Sequence, residues 1–265
     1  FEIGTFPSDT RHDYDGHPCS HRKAHKVYGM QMARATFKGM KKASYPKRPF
    51  ALTRSGYAGL QRYAAVWTGD NLATWEHLWM ANIQCQRLSV SGVSFCGSDI
   101  GGFIGDSNGE LFTRWMQLGI FHPFFRTHSS GDYADQEPWS FGEPFTSAIR
   151  SAIELRYRLL PYIYSVFWRH TVSGTPMIRP LCFMDQTDPE TYYRMDEFGL
   201  GNHFLVCPML EPKAKKRKLY LPEGIWFDYW TDKPRKGKQE IEVEAPLDQI
   251  PLFVKSGAII PHYPV

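Results

Sequence analysis

Apolar residues recur at steps of three and four positions in four stretches of the first 175 residues. This spacing places them on one side of a helix, so each stretch predicts an amphipathic α-helix. The predicted helices cover roughly residues 21–42, 74–88, 110–121 and 146–171. Their apolar sides include Val27, Met30, Ala33 and Phe37 in the first, Leu78, Ala81, Cys85 and Leu88 in the second, and Ile149, Ile153, Tyr157, Leu160, Tyr164 and Phe167 in the last.

Short apolar runs that end in polar residues or glycine lie between these helices. They read "RPFALTRSG", "GVSFCGSDIGGF", "PFFRTHSS" and "TPMIRPLCF". The first three predict buried strands that lead into polar loops, and the run after the last helix predicts a fourth strand. A strand, loop and helix repeated in this order is typical of a parallel α/β architecture. No glycine-rich dinucleotide fingerprint follows any of the strands, so a (β/α) barrel, or half of one, is the predicted fold.

The pattern changes near residue 199. The runs "HFLVCPML", "RKLYLPEGIWFDYW", "QEIEVEA" and "IPLFVKSGAII" are short, β-type and separated by proline, glycine and charged residues. They predict a small antiparallel β domain. We therefore expect a barrel part over residues 1–198 and a β domain over 199–265. The basic run Lys213–Lys218 is interpreted as a solvated hairpin, with a polyanion patch as the alternative.

Composition narrows the possible partners. The aromatic content of 15%, with 8 Trp, is high, and such rings line sugar and nucleobase sites as well as cores. The net charge of +4 gives no argument for a nucleic-acid partner. No apolar run approaches the roughly 20 residues that span a bilayer, so we expect no membrane partner. Five cysteines, an odd number, do not indicate a disulfide framework.

Polar residues at the carboxyl ends of the predicted strands are the candidates for chemistry, because barrels place their active sites there. They are Arg54, Asp70, Asp99, Arg126 and His128, with Trp67 and Phe103 nearby in the sequence. Two carboxylates, a histidine and aromatic rings suit a carbohydrate: polar groups bind its hydroxyls and rings stack on its C–H faces. Cleavage of a glycosidic bond needs a proton donor and a second carboxylate.

Each candidate also has a structural interpretation that spacing alone leaves open. Asp70 could be the N-cap of the helix that follows it. Asp99, which lies close to glycines, could be a turn residue. His128 and Trp67 could both be core residues.

A histidine-rich segment, "HDYDGHPCSHRKAH", contains His12, His17, His21 and His25 together with Cys19. His21 and His25 are four residues apart and would share a helix face, as two metal ligands do. Zinc sites normally carry a second tight pair of ligands, and none is clear here. We interpret the segment as a polar loop that leads into a helix, and we expect no metal and no cofactor.

Several long motifs together resemble glycoside hydrolase family 31, the α-glucosidase family. They are "RPFALTRSGYAGLQRYAAVWTGDN", "SGVSFCGSDIGGF", "RWMQLGIFHPFFRTHSS" and "LRYRLLPYIYS", followed by "LYLPEGIWFDYW" and "APLDQIPLFVKSGAIIP". The resemblance covers nearly the whole chain. It implies the C-terminal half of a (β/α)8 TIM barrel followed by an incomplete antiparallel β domain.

The resemblance also implies residue roles. Asp70 matches the general acid/base of the family's W-x-G-D motif. The others match substrate-binding positions: Arg54, Trp67, Asp99, Phe103 and His128. The family's hydrolases retain anomeric configuration by forming a covalent glycosyl–enzyme intermediate.

One departure from the family is serious. The family's nucleophile is an aspartate in a W-x-D-M-N-E type motif, and these 265 residues do not contain it. Both chain ends read as interrupted. We therefore expect the missing N-terminal half of the same enzyme to act as a partner. The expected function is hydrolysis of terminal α-glucosidic bonds in α-linked oligosaccharides, as part of the full-length enzyme. The alternatives are an α-xylosidase or transglycosylase, or an inactive structural or glycan-binding fragment.

Overall fold

The computed structural model describes residues 6–264 and divides the chain into two units between Val66 and Trp67. The first unit is built around one long helix. Its elements are the strands β1 (Arg11–His12) and β2 (Cys19–Ser20), the helix α1 (His21–Ala43), and the strands β3 (Leu52–Thr53) and β4 (Ala65–Trp67). The last residue of β4, Trp67, already belongs to the second unit. Helix α1 confirms the first predicted helix.

Parallel pairing of β3 and β4 places Leu52 opposite Ala65 and Thr53 opposite Val66. The loop after β3 lies against α1 at Gly29, where a Cβ atom would be only 2.6 Å from the Cβ of Ser55. Glycine is therefore needed here because a side chain would push the loop off the helix.

The second unit continues the strand–loop–helix order. Its first elements are α2 (Trp75–Val90), β5 (Cys96–Gly97), β6 (Asp99–Ile100), α3 (Gly109–Gly119), β7 (Arg126–Thr127), α4 (Phe145–Ser173), β8 (Ile178–Pro180) and α5 (Leu181–Met184). The helices and strands thus lie where the sequence pattern predicted them. The strands are only two or three residues long.

The buried side of α4 differs from the predicted one. Tyr157 and Tyr164, which were placed on the apolar side, are 59% and 57% exposed. The buried residues are Ala148, Ile149, Ala152, Leu155, Arg156, Leu159, Tyr162, Ile163 and His170. The helix carries apolar residues around most of its circumference, so periodicity alone did not select the face that packs.

The remaining strands form the β domain. They are β9 (Phe198–Leu200), β10 (Phe204–Val206), β11 (Lys216–Leu221), β12 (Ile225–Asp228), β13 (Pro234–Lys236), β14 (Gln239–Glu244) and β15 (Leu252–Lys255). Six strands form an antiparallel sheet in the order β13-β12-β15-β10-β9-β8, and β11 pairs with β14 in a separate ribbon. The expected antiparallel domain is confirmed.

Strand β8 was predicted to be the fourth strand of the parallel series, and this prediction is wrong. It pairs antiparallel with β9, with Arg179 opposite Gly199, at the edge of the six-stranded sheet. The expected boundary between residues 198 and 199 therefore falls inside β9.

One hydrophobic core joins the helices of the second unit to this sheet. Large buried side chains come from both parts, including Phe112 and Trp115 of α3 and Phe198 and Phe204 of the sheet. Arg114 adds a polar connection: its guanidinium donates to the carbonyl oxygens of Ala245 at 2.8 Å and Pro246 at 3.0 Å. The helical part and the β domain therefore pack as one body in this unit.

The basic run is part of the ribbon. Lys216 lies 2.9 Å from the carboxylate of Glu244, and Lys218 lies 3.9 Å from that of Glu240. The cations of β11 thus face the acidic residues of β14, which supports a solvated strand over a polyanion patch. The pairing is not a hairpin, because β12 and β13 lie between β11 and β14 in the chain. Among residues 6–264, no helix is both long and apolar enough to cross a membrane.

Candidate active site

Asp70 lies in the loop that follows β4 and precedes α2, and it is half-buried. The N-cap of α2 is Thr74, whose hydroxyl oxygen accepts a hydrogen bond from the backbone N–H of His77 at 3.3 Å. The structural interpretation of Asp70 as a helix cap is therefore wrong, and the cap four residues later leaves Asp70 inside the loop.

This loop is hydrogen-bonded to the loop that follows β6. The carbonyl oxygen of Asn71 accepts from the backbone N–H groups of Phe103 at 2.7 Å and Ile104 at 3.1 Å. The backbone N–H of Ala73 donates to the carbonyl oxygen of Ile104 at 2.8 Å. Since Asp70 directly precedes Asn71, these bonds fix its backbone beside the second loop.

Glycines make this close approach possible. Gly102 has a φ of 94°, and a Cβ atom at this position would be 2.5 Å from the backbone nitrogen of Ala73. Gly69, immediately before Asp70, has a φ of 85°. Both backbone conformations disfavour other residues, so the two glycines set the path of the loops that carry the candidates.

Asp99 and Arg126 form a pair at the start of two short parallel strands. They lie opposite each other in β6 and β7, and the Arg126 Nε donates to the Asp99 Oδ1 at 2.8 Å. Asp99 is fully buried, and its backbone carbonyl also begins a turn by accepting from the N–H of Gly102. The guanidinium of Arg126 lies over the rings of Trp67 and Phe124, 5.2 and 5.3 Å from their centres. Arg126 thus connects a carboxylate to two aromatic residues.

The charges of the cluster act on one another. Burial raises the pKa of the Asp99 carboxyl above its ordinary value, and the hydrogen bond and charge of Arg126 oppose this rise. The charge of His128 also lowers the pKa of Asp99, and the charge of Asp70 raises it. The two carboxylates and the histidine are therefore electrostatic neighbours, as expected for one site.

Two buried polar atoms of this cluster have no hydrogen-bond partner within the described part of the chain. They are the Asp99 Oδ2 and the Trp67 Nε1, an acceptor and a donor. A buried polar atom without a hydrogen-bond partner costs folding free energy. A polar group from outside residues 6–264 that bonds to these two atoms would therefore bind favourably here. Sugar hydroxyls can both donate and accept hydrogen bonds and match this pair.

Phe103 and His128 form the other side of the cluster. Their rings stack with centres 5.2 Å apart and planes 28° from parallel. His128 is exposed and Phe103 is half-buried, so His128 is not a core histidine. Trp67 is also half-buried, and the interpretation of it as a plain core residue is likewise wrong.

The structure therefore brings together five of the six expected site residues, all in the second unit: Trp67, Asp70, Asp99, Phe103 and His128. Arg54 belongs to the first unit, where it is exposed and directly follows β3, as a strand-end residue should. Sequence reasoning found Arg126 but not its pairing with Asp99. It missed Phe124 and the anchoring carbonyl of Asn71, since no motif marks a contact made by backbone or by one ring.

The histidine-rich segment does not converge on one point. The His12 Nε2 lies 2.9 Å from the His21 Nδ1, while the His21 Nε2 lies 3.1 Å from the His25 Nδ1. Because His21 uses opposite nitrogens, the three rings form a hydrogen-bonded chain. Burial and the two neighbouring histidines lower the pKa of His21. Within residues 6–264, no group of three potential metal ligands has a metal-binding arrangement.

Comparison with known proteins identifies the family. The family model for the glycosyl hydrolases family 31 TIM-barrel domain matches residues 1–166, and the model for the glycosyl hydrolase family 31 C-terminal domain matches residues 174–260. "Alpha-glucosidase 2" of Bacillus thermoamyloliquefaciens is 49% identical over 259 residues, which are 98% of this chain and 33% of that protein.

Solved structures titled as GH31 enzymes are also similar to this chain. A GH31 dextranase of Flavobacterium johnsoniae in complex with isomaltotriose is 37% identical with a TM-score of 0.89, covering 93% of this chain and 32% of the dextranase. A GH31 alpha-xylosidase from a soil metagenome, in complex with xylose, is 34% identical with a TM-score of 0.82, covering 86% of this chain and 37% of the xylosidase. The chain thus spans about a third of the length of these relatives.

Proposed function

The chain belongs to glycoside hydrolase family 31, and from this premise we propose that it supplies the acid/base part of a retaining glycosidase that hydrolyses terminal α-glucosidic bonds. The observation that carries the proposal is the cluster of Asp70, Asp99 and Arg126 against an aromatic ring, next to short parallel strands. The 49% identity to a protein named as an α-glucosidase supports the choice of sugar.

In this mechanism Asp70 acts as a general acid in the first step and as a general base in the second. Its protonated carboxyl donates to the glycosidic oxygen as the bond to the anomeric carbon breaks, and the sugar passes to a nucleophilic carboxylate. The ionised Asp70 then takes a proton from water, which attacks the anomeric carbon and releases the nucleophile. We assign the nucleophile to another part of the same enzyme, because the family's nucleophile motif is absent from these 265 residues.

The remaining residues bind the sugar. Asp99, held by Arg126, accepts from hydroxyls with the Oδ2 that has no partner in the described region. Trp67 and Phe103 offer ring surface to the C–H faces of the sugar, and His128 adds a polar contact. For Arg54, the proposed substrate-binding role rests on the family motif alone. The hydrogen bonds from the backbone of Phe103 and Ile104 to the carbonyl oxygen of Asn71 hold the two loops together before the substrate arrives.

A second candidate function is α-xyloside hydrolysis. The similarity to the α-xylosidase structure supports it, and the same acid/base residue would serve. The relatives named as α-glucosidases, at up to 49% identity, favour a glucoside. Comparing kcat/KM for aryl α-glucoside and aryl α-xyloside decides between them.

The test of the acid/base role compares two aspartate variants in the active enzyme that contains this chain. For Asp70→Asn, we expect a loss of at least about 100-fold on maltose and a much smaller loss of the glycosylation rate on an aryl α-glucoside, whose leaving group needs no proton. Asp99→Asn is the matched control and should lose similar factors on both substrates, because it binds the sugar in either case. Equal losses on both substrates for Asp70→Asn would overturn the assignment.

A further inference from the structure

A cavity of about 300 Å³ in the second unit is lined by cations. It opens between β8, the turn from β9 to β10, and the turn after β15. Its polar lining residues are Arg179, Asn202, His203, Lys255 and Ser256. Among the described residues that line it there is no aspartate or glutamate. None of these residues takes part in the cluster around Asp70.

Arg179 is the buried cation of this cavity, with only 7% of its surface exposed. Its Nε donates to the carbonyl oxygen of Pro176 at 2.8 Å, and its Nη1 donates to the Asn202 Oδ1. In the described part of the chain, its Nη2 makes no hydrogen bond and no carboxylate lies within ion-pair distance. Burial lowers the pKa of Arg179, which expresses the cost of keeping this charge away from water.

Another buried arginine shows that Arg179 is incompletely satisfied. Arg156 uses Nη1 to reach the carbonyl oxygens of Ile120 and His122, both at 2.6 Å, and Nη2 to reach that of Pro123 at 3.1 Å. Both terminal nitrogens of Arg156 are therefore satisfied by the fold itself. Among residues 6–264, no acceptor meets the Nη2 of Arg179, so one edge of its planar donor fork stays open. This fork is the geometry that binds oxyanions.

His203 and Lys255 line the same cavity as Arg179, and the sheet joins their backbones. The backbone N–H of Lys255 donates to the carbonyl oxygen of His203 at 2.8 Å, and the Lys255 ammonium lies 5.9 Å from the centre of the Trp226 ring. The His203 Nδ1 is buried and has no hydrogen-bond partner among residues 6–264. Burial lowers the pKa of His203, and the charges of Lys255 and Arg179 lower it further. Two cations and a donor-capable imidazole thus line one cavity, and the described residues of its lining include no carboxylate.

We propose that this cavity binds an oxyanion, and specifically a phosphate group. The Arg179 fork supplies parallel donors, Lys255 supplies a second charge, and His203 and Ser256 supply neutral donors. The cavity volume is at the lower end of the range for small-molecule sites, which leaves room for a small group attached to the phosphate. The ligand is either free inorganic phosphate or a small phosphate ester.

The test is urea unfolding of the 265-residue protein in increasing inorganic phosphate, against chloride at equal ionic strength. A ligand that binds the folded state raises the free energy of unfolding with a saturable dependence on its concentration. Lys255→Met, at a half-buried position, should weaken the apparent affinity about tenfold or more. Lys233→Met removes the same charge at an exposed position outside the cavity lining, and it should keep the affinity of the unmodified protein.

A second arm addresses Arg179 and the source of the phosphate. Arg179→Lys keeps the charge but loses the fork, so its phosphate affinity should fall even where circular dichroism and the urea transition show it to be folded. Tighter binding of phenyl phosphate than of inorganic phosphate supports an ester, and equal binding supports the free ion. The proposal is overturned if phosphate gives no saturable stabilisation beyond chloride, or if Lys255→Met and Lys233→Met respond alike.

Discussion

Arg126 is the residue on which the charge balance of the candidate site depends. It provides the ion pair to Asp99, whose side chain is fully buried. Replacing it in Arg126→Met leaves that carboxylate without a partner, and we expect the free energy of unfolding to fall by about 2 kcal/mol at pH 7. Loss of the cation raises the pKa of Asp99 further. The folded variant then binds a proton more readily than the unfolded chain, so its deficit should shrink as the pH falls.

Urea unfolding at pH 7 and pH 5 measures this effect. Arg150→Met, at an exposed position of α4, is the control and should change stability by less than about 0.5 kcal/mol. The double variant Arg126→Met/Asp99→Asn should recover part of the loss because no buried charge remains. A deficit in Arg126→Met that is the same at both pH values would contradict the proposed dependence on Asp99.

Glu197 is a second buried carboxyl, in the β domain. It accepts from the backbone N–H of Tyr220 at 2.9 Å and from the thiol of Cys207 at 3.4 Å. Burial raises the pKa of Glu197 to about 7, although the charge of Arg217 lowers this pKa in part. Its folded pKa is therefore higher than its unfolded pKa, and between about pH 4.5 and 7 the folded state holds the extra proton. The stability from this group is complete below that window and is lost as the pH rises through it.

Glu197→Gln mimics the protonated carboxyl and removes this titration. We expect the variant to gain about 3 kcal/mol relative to the unmodified protein between pH 4.5 and pH 8. The measurement is the free energy of unfolding in urea at a series of pH values. The exposed Glu211 provides the control Glu211→Gln, which should follow the unmodified protein. Parallel stability curves for Glu197→Gln and the unmodified protein would show that Glu197 titrates normally.

At this scale, the sequence identified the candidate residues but not their surroundings. From its position before a predicted helix, Asp70 could be a helix cap or a catalytic acid. The structure excludes the cap, because the backbone N–H of His77 donates to the hydroxyl oxygen of Thr74 instead. The burial of Asp99 and its pairing with Arg126 depend on two strands 27 positions apart. Contacts of this kind are set by tertiary packing, which local patterns do not encode.

At the scale of elements, side chains of α3 hydrogen-bond the helix to the β domain, and Arg114 makes the largest number of these bonds, beside that of Gln117 to the carbonyl oxygen of Leu247. Arg114 is buried and donates to three carbonyl oxygens of the segment between β14 and β15, those of Ala245, Pro246 and Gln249. Arg114→Met should cost about 3 kcal/mol of folding stability because it removes three hydrogen bonds of a buried side chain and takes this donor from the buried carbonyl oxygen of Ala245. Urea unfolding of this variant beside Arg150→Met provides the measurement. Similar small losses in both would mean that solvent satisfies the carbonyls.

The elements themselves could be predicted better than their partners. The four helices lie where the three- and four-residue spacing placed them, because this spacing reports a local periodicity. The partner of β8 could not be predicted, since a strand of three residues carries too little pattern to distinguish a parallel from an antiparallel neighbour. The packed face of α4 was missed because Tyr157 and Tyr164 extended the apolar pattern around the helix.

At the scale of the whole molecule, we expect that the 265-residue chain alone does not turn over substrate. A retaining mechanism needs two carboxylates in separate roles, and these residues provide Asp70 but not the family's nucleophile motif. Purified protein incubated with maltose and with an aryl α-glucoside should release no product above a blank. Turnover that disappears in Asp70→Asn would contradict the prediction, because it would show that this chain holds a complete site.

Rescue by azide tests whether Asp70 is the acid/base of a retaining enzyme. In the active enzyme, Asp70→Ala should hydrolyse an aryl α-glucoside slowly, because water attacks the glycosyl–enzyme intermediate without a base. Azide needs no base, so it should restore turnover and yield α-glucosyl azide with retained configuration. An Asp70→Ala enzyme that azide does not accelerate, or that forms the β-azide, would contradict the account.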